Sequence, residues 1–252
     1  MLSASFETVG FSVVLPVRNE QECLSEVLAE LRQALDGDGI GGWEVIVVDD
    51  GSTDATPRIV RQFAEEDARF RFLLFDGHFG QTAALDAGLR AARGDILATM
   101  DGDGQNDPHD FSRLLEALES RKVDMMLGIR RKREDSSVRR ISSRIANGVR
   151  NWATGETVTD VGCAIRVFRA TCIRRLKLFE GMHRFFPTLV RMEGYSIDQI
   201  PVHHRPRRRG ISKYGINNRL WCGLRDIFAV RWMKRRNLAY RIRERGGFEH
   251  PV

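Results

Sequence analysis

The chain has 252 residues, a hydrophobic fraction of 42% and a net charge of +6, the profile of a soluble globular protein that can bury a sizeable core as one domain, or one domain with an appendage. No uninterrupted apolar run reaches the ~18 residues that span a bilayer, and the opening MLSASFETVG lacks the basic and apolar regions of a secretion signal, so a cytosolic chain is expected. The charge is unevenly placed: residues 1–120 hold 9 Lys+Arg against 23 Asp+Glu and residues 121–252 hold 31 against 11, so the front suits cation-assisted chemistry and the back suits a polyanion, an anionic membrane surface or phosphate groups.

FSVVLPV reads as a first strand, and residues 20–35 place Leu24, Val27, Leu28, Leu31 and Leu35 at helical spacing. WEVIVVDD is a second strand. The helix after it can be capped by Asp54 and carries Pro57 in its first turn. FRFLLF is a third strand with an Ala-rich helix over 81–92. DILATM is a fourth, followed by a helix that Asp107 can cap and Pro108 can open, and VDMMLGI is a fifth. Short β-rich apolar runs between amphipathic helices predict an α/β fold, a doubly wound, mainly parallel sheet covered on both faces. The last segment, NNRLWCGLRDIFAVRWMKRRNLAYRIR, and a second one, ISSRIANGVRNWATG, are amphipathic and basic. Trp and Arg together suit a membrane interface, while the same face could pack on the core or on a second subunit. Cys23, Cys163, Cys172 and Cys222 are scattered, without the close pairs of a zinc site, and read as reduced packing residues.

Ligands of such sheets sit at the carboxyl ends of the strands. Those ends are polar here: Pro16 to Glu20, Asp49 to Ser52, and MDGDGQNDP at 100–108. No glycine-rich dinucleotide fingerprint and no phosphate-binding Gly-Lys-Ser/Thr loop is present, so a carboxylate-held cation is the alternative means of neutralising a phosphate. A calcium loop starting at Asp101 needs Gly at 106 and Glu at 112, where Asn106 and Ser112 stand. An aspartyl phosphatase motif would lie near the N-terminus, followed by Thr or Val rather than Gly104 and Gln105. A plain Asp/Gly turn stays open on the stretch alone.

Taken in order, VVLPVRNEQE, EVIVVDDGSTDAT and HFGQTAALDAGLRAARGDILATMDGDGQNDP resemble the family 2 glycosyltransferases of the GT-A fold. DVGCAIRVFR, GMHRFFPTLV and RPRRRGISKYGINNRL resemble the branch containing dolichyl-phosphate mannose synthase and bacterial polyprenyl-phosphate glycosyltransferases. The resemblance implies a GT-A catalytic domain over 1–213, with a nucleotide-sugar half (1–120) and an acceptor half with a closing loop (121–213), then a basic amphipathic helical segment and tail over 214–252. It implies that Pro16, Arg18, Glu20, Asp49 and Asp50 line the nucleoside pocket of a UDP- or GDP-type donor, without deciding which aspartate meets the base. Gln81 would shape the donor site. Asp101, Asp103 and Gln105 would hold Mg2+ or Mn2+ against the diphosphate.

The resemblance further implies that Arg130, Arg139 and Ser143 clamp the phosphate of a polyprenyl phosphate, the planar Arg fork matching its oxygens. Arg207, Ser212 and Lys213 would close over the departing diphosphate. Asp160 would organise hydroxyls, or cap a turn. The implied reaction is inverting transfer of a sugar to the lipid phosphate, by an enzyme peripheral on the cytoplasmic face of the membrane and able to form a homo-oligomer. Transfer to a hydroxyl of a glycan or glycolipid, with a general base near Asp160, is the alternative. A basic nucleic-acid-binding module is a remote one, since no nucleic-acid motif is present and the acidic strand ends would go unexplained.

Overall fold

The computed structural model describes residues 9–130, 148, 155, 158–174, 176–206 and 216–237, with backbone alone over 216–224 and at 174. Seven strands form one sheet: β1 (Phe11–Val17), β2 (Trp43–Asp49), β3 (Phe70–Leu74), β4 (Ile96–Thr99), β5 (Met125–Arg130), β6 (Arg166–Arg169) and β7 (Ile197–Val202), in the order β3-β2-β1-β4-β6-β5-β7. All pairings are parallel except those of β6, which runs against both β4 and β5. The mainly parallel, doubly wound sheet is thus present, with one reversed strand that the sequence pattern does not announce: RVFR is four residues long and bounded by Arg at each end.

Alternation within the strands divides the core. Phe11, Val13, Leu15 and Val17 of β1 face α1 (Leu24–Gly37), α2 (Thr56–Glu66) and α4 (Asp110–Ser120), whose buried Leu24, Leu28, Leu31, Val60, Phe63, Phe111 and Leu114 complete one layer. Val14, Ile46 and Val48 face the other way. They meet α3 (Gln81–Ala91), the short α5 (Thr171–Arg174), a 3-10 turn (Met182–Phe185), α6 (Phe186–Met192) and the inner side of α7 (Ile216–Arg236) through Leu85, Ile173, Phe186 and Val230. Helices therefore cover both faces.

Several helix starts differ from the sequence expectation. α1 begins at Leu24, not at 20, because Asn19 takes a left-handed φ of 49° and residues 18–23 form a loop. α4 begins at Asp110, three residues beyond Asp107. The carboxylate of Asp107 accepts the His109 N–H at 3.1 Å and so closes a turn ahead of the helix instead of capping it. Asp54 stands one residue ahead of the N-cap of α2, Ala55, and its carboxylate likewise closes a turn by accepting the Thr56 N–H at 2.9 Å. Burial opposes its ionisation, but hydrogen bonds from Thr56 and Gln21 outweigh it and lower its pKa. Cys23, Cys163 and Cys172 are free and buried, and burial pushes the Cys163 thiol up to about 11 and the Cys172 thiol to about 12, as expected of packing residues.

Candidate active site

Strand order reverses between β1 and β4, so a crevice opens at their carboxyl ends. The loops after β1 and β2 are sewn together there. The Asn19 N–H donates to Ser52 Oγ at 2.8 Å, Asn19 Oδ1 accepts the Thr53 N–H at 2.8 Å, and the Glu20 N–H donates to Thr56 Oγ1 at 2.9 Å. Pro16 stays in the ladder, paired with Val48, and Arg18 and Glu20 are half-buried at the mouth.

The two aspartates after β2 are both buried and already engaged. Asp49 accepts hydrogen bonds from the Ser52 N–H at 3.2 Å and from the Ser52 hydroxyl. Asp50 holds the loop that enters α3: its carboxylate meets His78 Nδ1 at 2.7 Å and accepts the N–H groups of Phe79 (2.7 Å) and Gly80 (3.0 Å). Both carboxylates therefore fix the loops around them, Asp49 the turn after β2 and Asp50 the entry to α3, and each keeps acceptor capacity beyond the bonds it makes.

After β4 comes the turn carrying Asp101 and Asp103, both half-buried. Gly102 lets it lie against β1, since a Cβ there would come within 2.6 Å of Val17 Cγ1. Gln81 Nε2 donates to Asp101 Oδ1 at 3.0 Å, and Asp103 Oδ1 accepts the Gln105 N–H at 3.1 Å. The structure thus brings Gln81, Asp101 and Asp103 together. Gln105, expected as a further ligand, donates its Nε2 to the Arg205 carbonyl at 3.4 Å, so a ligand role would rest on Oε1. Among the described residues no cluster of three His, Cys, Asp or Glu side chains is assembled for a metal. The oxygen-only pair fits a hard divalent cation that takes the rest of its shell from ligand oxygens.

At the end of β5, Arg130 is joined to Asp160. Arg130 Nε and Nη2 each reach an Asp160 oxygen at 2.7 Å, with both side chains largely buried. The family resemblance implies separate tasks for these two residues. Arg166, His204 and Arg205, which the resemblance left without a role, stand near the Asp101 turn. Arg166, at the start of β6 opposite Thr99, is 7% exposed; one Nη donates to the Cys163 carbonyl at 3.2 Å and its Nε has no hydrogen-bond partner. Burial lowers its pKa, with Cys163 and then Asp101 acting in the opposite direction. His204 forms an isolated antiparallel bridge with Asn106, and the Arg205 guanidinium pairs with Glu30 at 2.7 Å and Asp107 at 2.9 Å. A strap over 203–206 therefore crosses the Asp101 turn on its way to the expected closing loop. Arg139, Ser143, Arg207, Ser212 and Lys213 lie outside the described residues, as does nearly all of 141–155.

A cavity of about 210 Å3 adjoins this turn, walled by the start of α3, the segment 180–184 and α7. Thr82 Oγ1 accepts the Gly181 N–H at 3.1 Å and shares a 2.7 Å hydrogen bond with His183 Nδ1. GMHRFFPTLV contributed to the sequence resemblance without a role for any residue. A His two residues after a glycine in that stretch was the available signal.

Sheet order, reversed β6 and carboxylate turn define a GT-A glycosyltransferase fold. A mannosyltransferase from Pyrobaculum calidifontis, solved with GDP-Man and Mn2+, superposes with a TM-score of 0.63 at 22% identity, covering 91% of this chain and 65% of that one. The chain belongs to glycosyl transferase family 2, whose family model matches residues 12–182. It is 37% identical over 233 residues to a dodecaprenyl-phosphate galacturonate synthase of Rhizobium johnstonii, covering 91% of this chain and 68% of that protein. It is 37% identical over 215 residues to an undecaprenyl-phosphate 4-deoxy-4-formamido-L-arabinose transferase of Edwardsiella ictaluri, covering 84% and 66%. The chain thus spans about two thirds of the length of these relatives.

Proposed function

We propose that the chain transfers a sugar, with inversion, from a UDP- or GDP-type nucleotide sugar to the phosphate of a polyprenyl phosphate of undecaprenyl or dolichyl type, using Mg2+ or Mn2+. The observation that carries the reading is the Asp101–Asp103 turn at the strand-order switch point, steadied by Gln81. These two carboxylates would hold the cation, which supplies charge neutralisation for the diphosphate as the glycosidic bond breaks. The acceptor class rests on the two relatives, both named for a polyprenyl-phosphate acceptor.

The Arg130–Asp160 pair favours a phosphate acceptor over a hydroxyl one. A hydroxyl nucleophile needs a general base with an available lone pair. Both Asp160 oxygens are held by Arg130 at 2.7 Å, which stabilises the charged form and weakens the base. A phosphate monoester, with its second pKa near about 6, is an anionic nucleophile without help. The task left to the protein is positioning two polyanions. In this reading Arg130, Arg139 and Ser143 serve the acceptor phosphate, Arg130 exchanging part of its hold on Asp160. Arg207, Ser212 and Lys213 serve the leaving diphosphate.

Membrane contact belongs to the same proposal. Among the described residues no helix is long and apolar enough to cross a membrane. α7 exposes Phe228 (71%) and Trp232 (64%) beside Arg225, Arg235 and Arg236, an aromatic and basic face suited to peripheral binding at the anionic cytoplasmic leaflet.

The test is incubation with labelled nucleotide sugars, Mn2+ or Mg2+, and undecaprenyl or dolichyl phosphate. Label should pass into a butanol-extractable lipid. Products on hydroxyl acceptors alone would overturn the proposal. Asp103→Ala should lower turnover by about 100-fold or more with an unchanged circular dichroism spectrum, and retained turnover would remove Asp103 from the site.

A further inference from the structure

The cavity beside the carboxylate turn is built from three separate parts of the chain: Gly80 to Thr82 where α3 begins, Glu180 to Arg184, and Arg225 with Asp226 on α7. Gln81 belongs to both places, lining the cavity while its amide holds Asp101 at 3.0 Å. Whatever fills the cavity therefore borders on a diphosphate held at Asp101 and Asp103.

Asp226 is the residue that calls for a ligand. It is 7% exposed on the inward side of α7, and among the described residues no donor reaches its carboxylate. It lies against Gly181, whose φ is +81° and where a Cβ would come within 2.7 Å of Asp226 Oδ2, so that segment approaches the carboxylate as only glycine can. A nearly buried carboxylate without a partner is costly, and a fold retains one where a ligand supplies the missing donors.

We propose that this cavity receives the sugar of the nucleotide-sugar donor, and that Asp226 on α7 selects it by accepting hydrogen bonds from its hydroxyls. The inference rests on the donor assigned under the proposed function. The nearly buried Asp226 argues against the lipid phosphate as occupant, because a phosphate would set a second negative charge against that carboxylate and bring it no hydrogen-bond donor. A pyranose brings hydroxyl donors for the carboxylates and hydroxyl oxygens for Arg184 and Arg225, while Phe79, 59% exposed at the rim, offers an apolar face. Thr82, accepting from Gly181 and bonded to His183, keeps the two walls at a fixed separation. α7 thereby completes the sugar subsite with one face and presents Phe228 and Trp232 on another.

Binding without acceptor tests this apart from transfer. Dissociation constants of the full chain with Mn2+ are measured by calorimetry for UDP and GDP, then for UDP-glucose, UDP-galacturonic acid, UDP-arabinose and GDP-mannose. Asp226→Asn should raise the ratio of nucleotide-sugar to nucleoside-diphosphate dissociation constants by about 10-fold for the preferred sugar. The affinity for the bare diphosphate should stay within about 2-fold. Glu180→Gln, at an exposed position where folding is not at risk, should shift the same ratio by less. An unchanged ratio for every sugar, or an equal loss for sugar and bare diphosphate, overturns the assignment of Asp226. Failure of wild type to bind any nucleoside diphosphate overturns the donor reading as well. Binding intact but no lipid product leaves the subsite standing and rejects only the acceptor.

Discussion

At the scale of single residues, the partners that a buried carboxylate meets separate the structural ones from those with room for a ligand. Glu44, fully buried at the amino end of β2, is the clearest structural case. It accepts from Ser12 Oγ at 2.8 Å and the Arg93 N–H at 2.7 Å, and pairs with Arg71 and Arg93 at 2.8 Å. Burial alone would raise its pKa, but the hydrogen bonds from Arg93, Arg71 and Ser12 together outweigh that and lower it below the ordinary 4.5. Because the folded value is depressed, its contribution is complete above the unfolded pKa and is lost as pH falls through the folded one. Glu44→Gln should therefore cost about 2 kcal/mol at pH 7. The gap from wild type, read by urea unfolding, should narrow once pH drops below about 4.5; a gap independent of pH would show that the charge contributes nothing. Asp49 and Asp50 illustrate the limit of sequence reading at this scale. DDGS announces two acidic residues at a strand end, but successive side chains leave a strand in opposite directions, and only the folded loops reveal that one meets Ser52 and the other the loop at 78–80.

At the scale of elements, α7 has two distinct faces. Its residues 225, 228, 229, 232 and 236 are exposed and recur at helical spacing, whereas Asp226 and Val230 turn inward. Replacing both Phe228 and Trp232 by Glu should abolish flotation with anionic vesicles and leave the thermal midpoint within a few degrees, since neither side chain supports the core. Unaltered flotation would assign that face to a protein neighbour. The helix itself was legible from its amphipathic pattern. Its inner acid was not, because one Asp among six Lys and Arg residues reads as an ordinary solvated charge until the cavity beneath it is seen. β6 escaped notice for a related reason: its stability comes from pairing on both edges, with β4 and with β5, not from an apolar run of its own.

Across the whole molecule, the opposite charge of the two halves becomes a set of long-range contacts. Arg205, from the basic half, reaches Glu30 and Asp107 in the acidic half while its backbone is bonded to Gln105. These are partly exposed pairs, so Arg205→Met should change global stability by no more than about 1 kcal/mol. Turnover should fall by about 10-fold or more, because the strap would no longer steady the turn that carries Asp101 and Asp103. Stability and turnover falling in proportion would reduce the strap to a simple brace.

Local pattern determined the strands through β5, the helices between them, the covered parallel sheet and the carboxylate turn, because apolar periodicity and turn chemistry are properties of neighbouring residues. The order and spacing of the motifs carried the family as well. Tertiary structure decided what pattern cannot express: that Arg130 and Asp160 neutralise each other, that Asp50 holds the loop entering α3, that Arg166 is buried on the reversed β6 beside β4, and that Thr82, His183 and Asp226 meet around one cavity. Each depends on residues far apart in the chain, and the energy of a buried charge is set by which partner the fold brings to it.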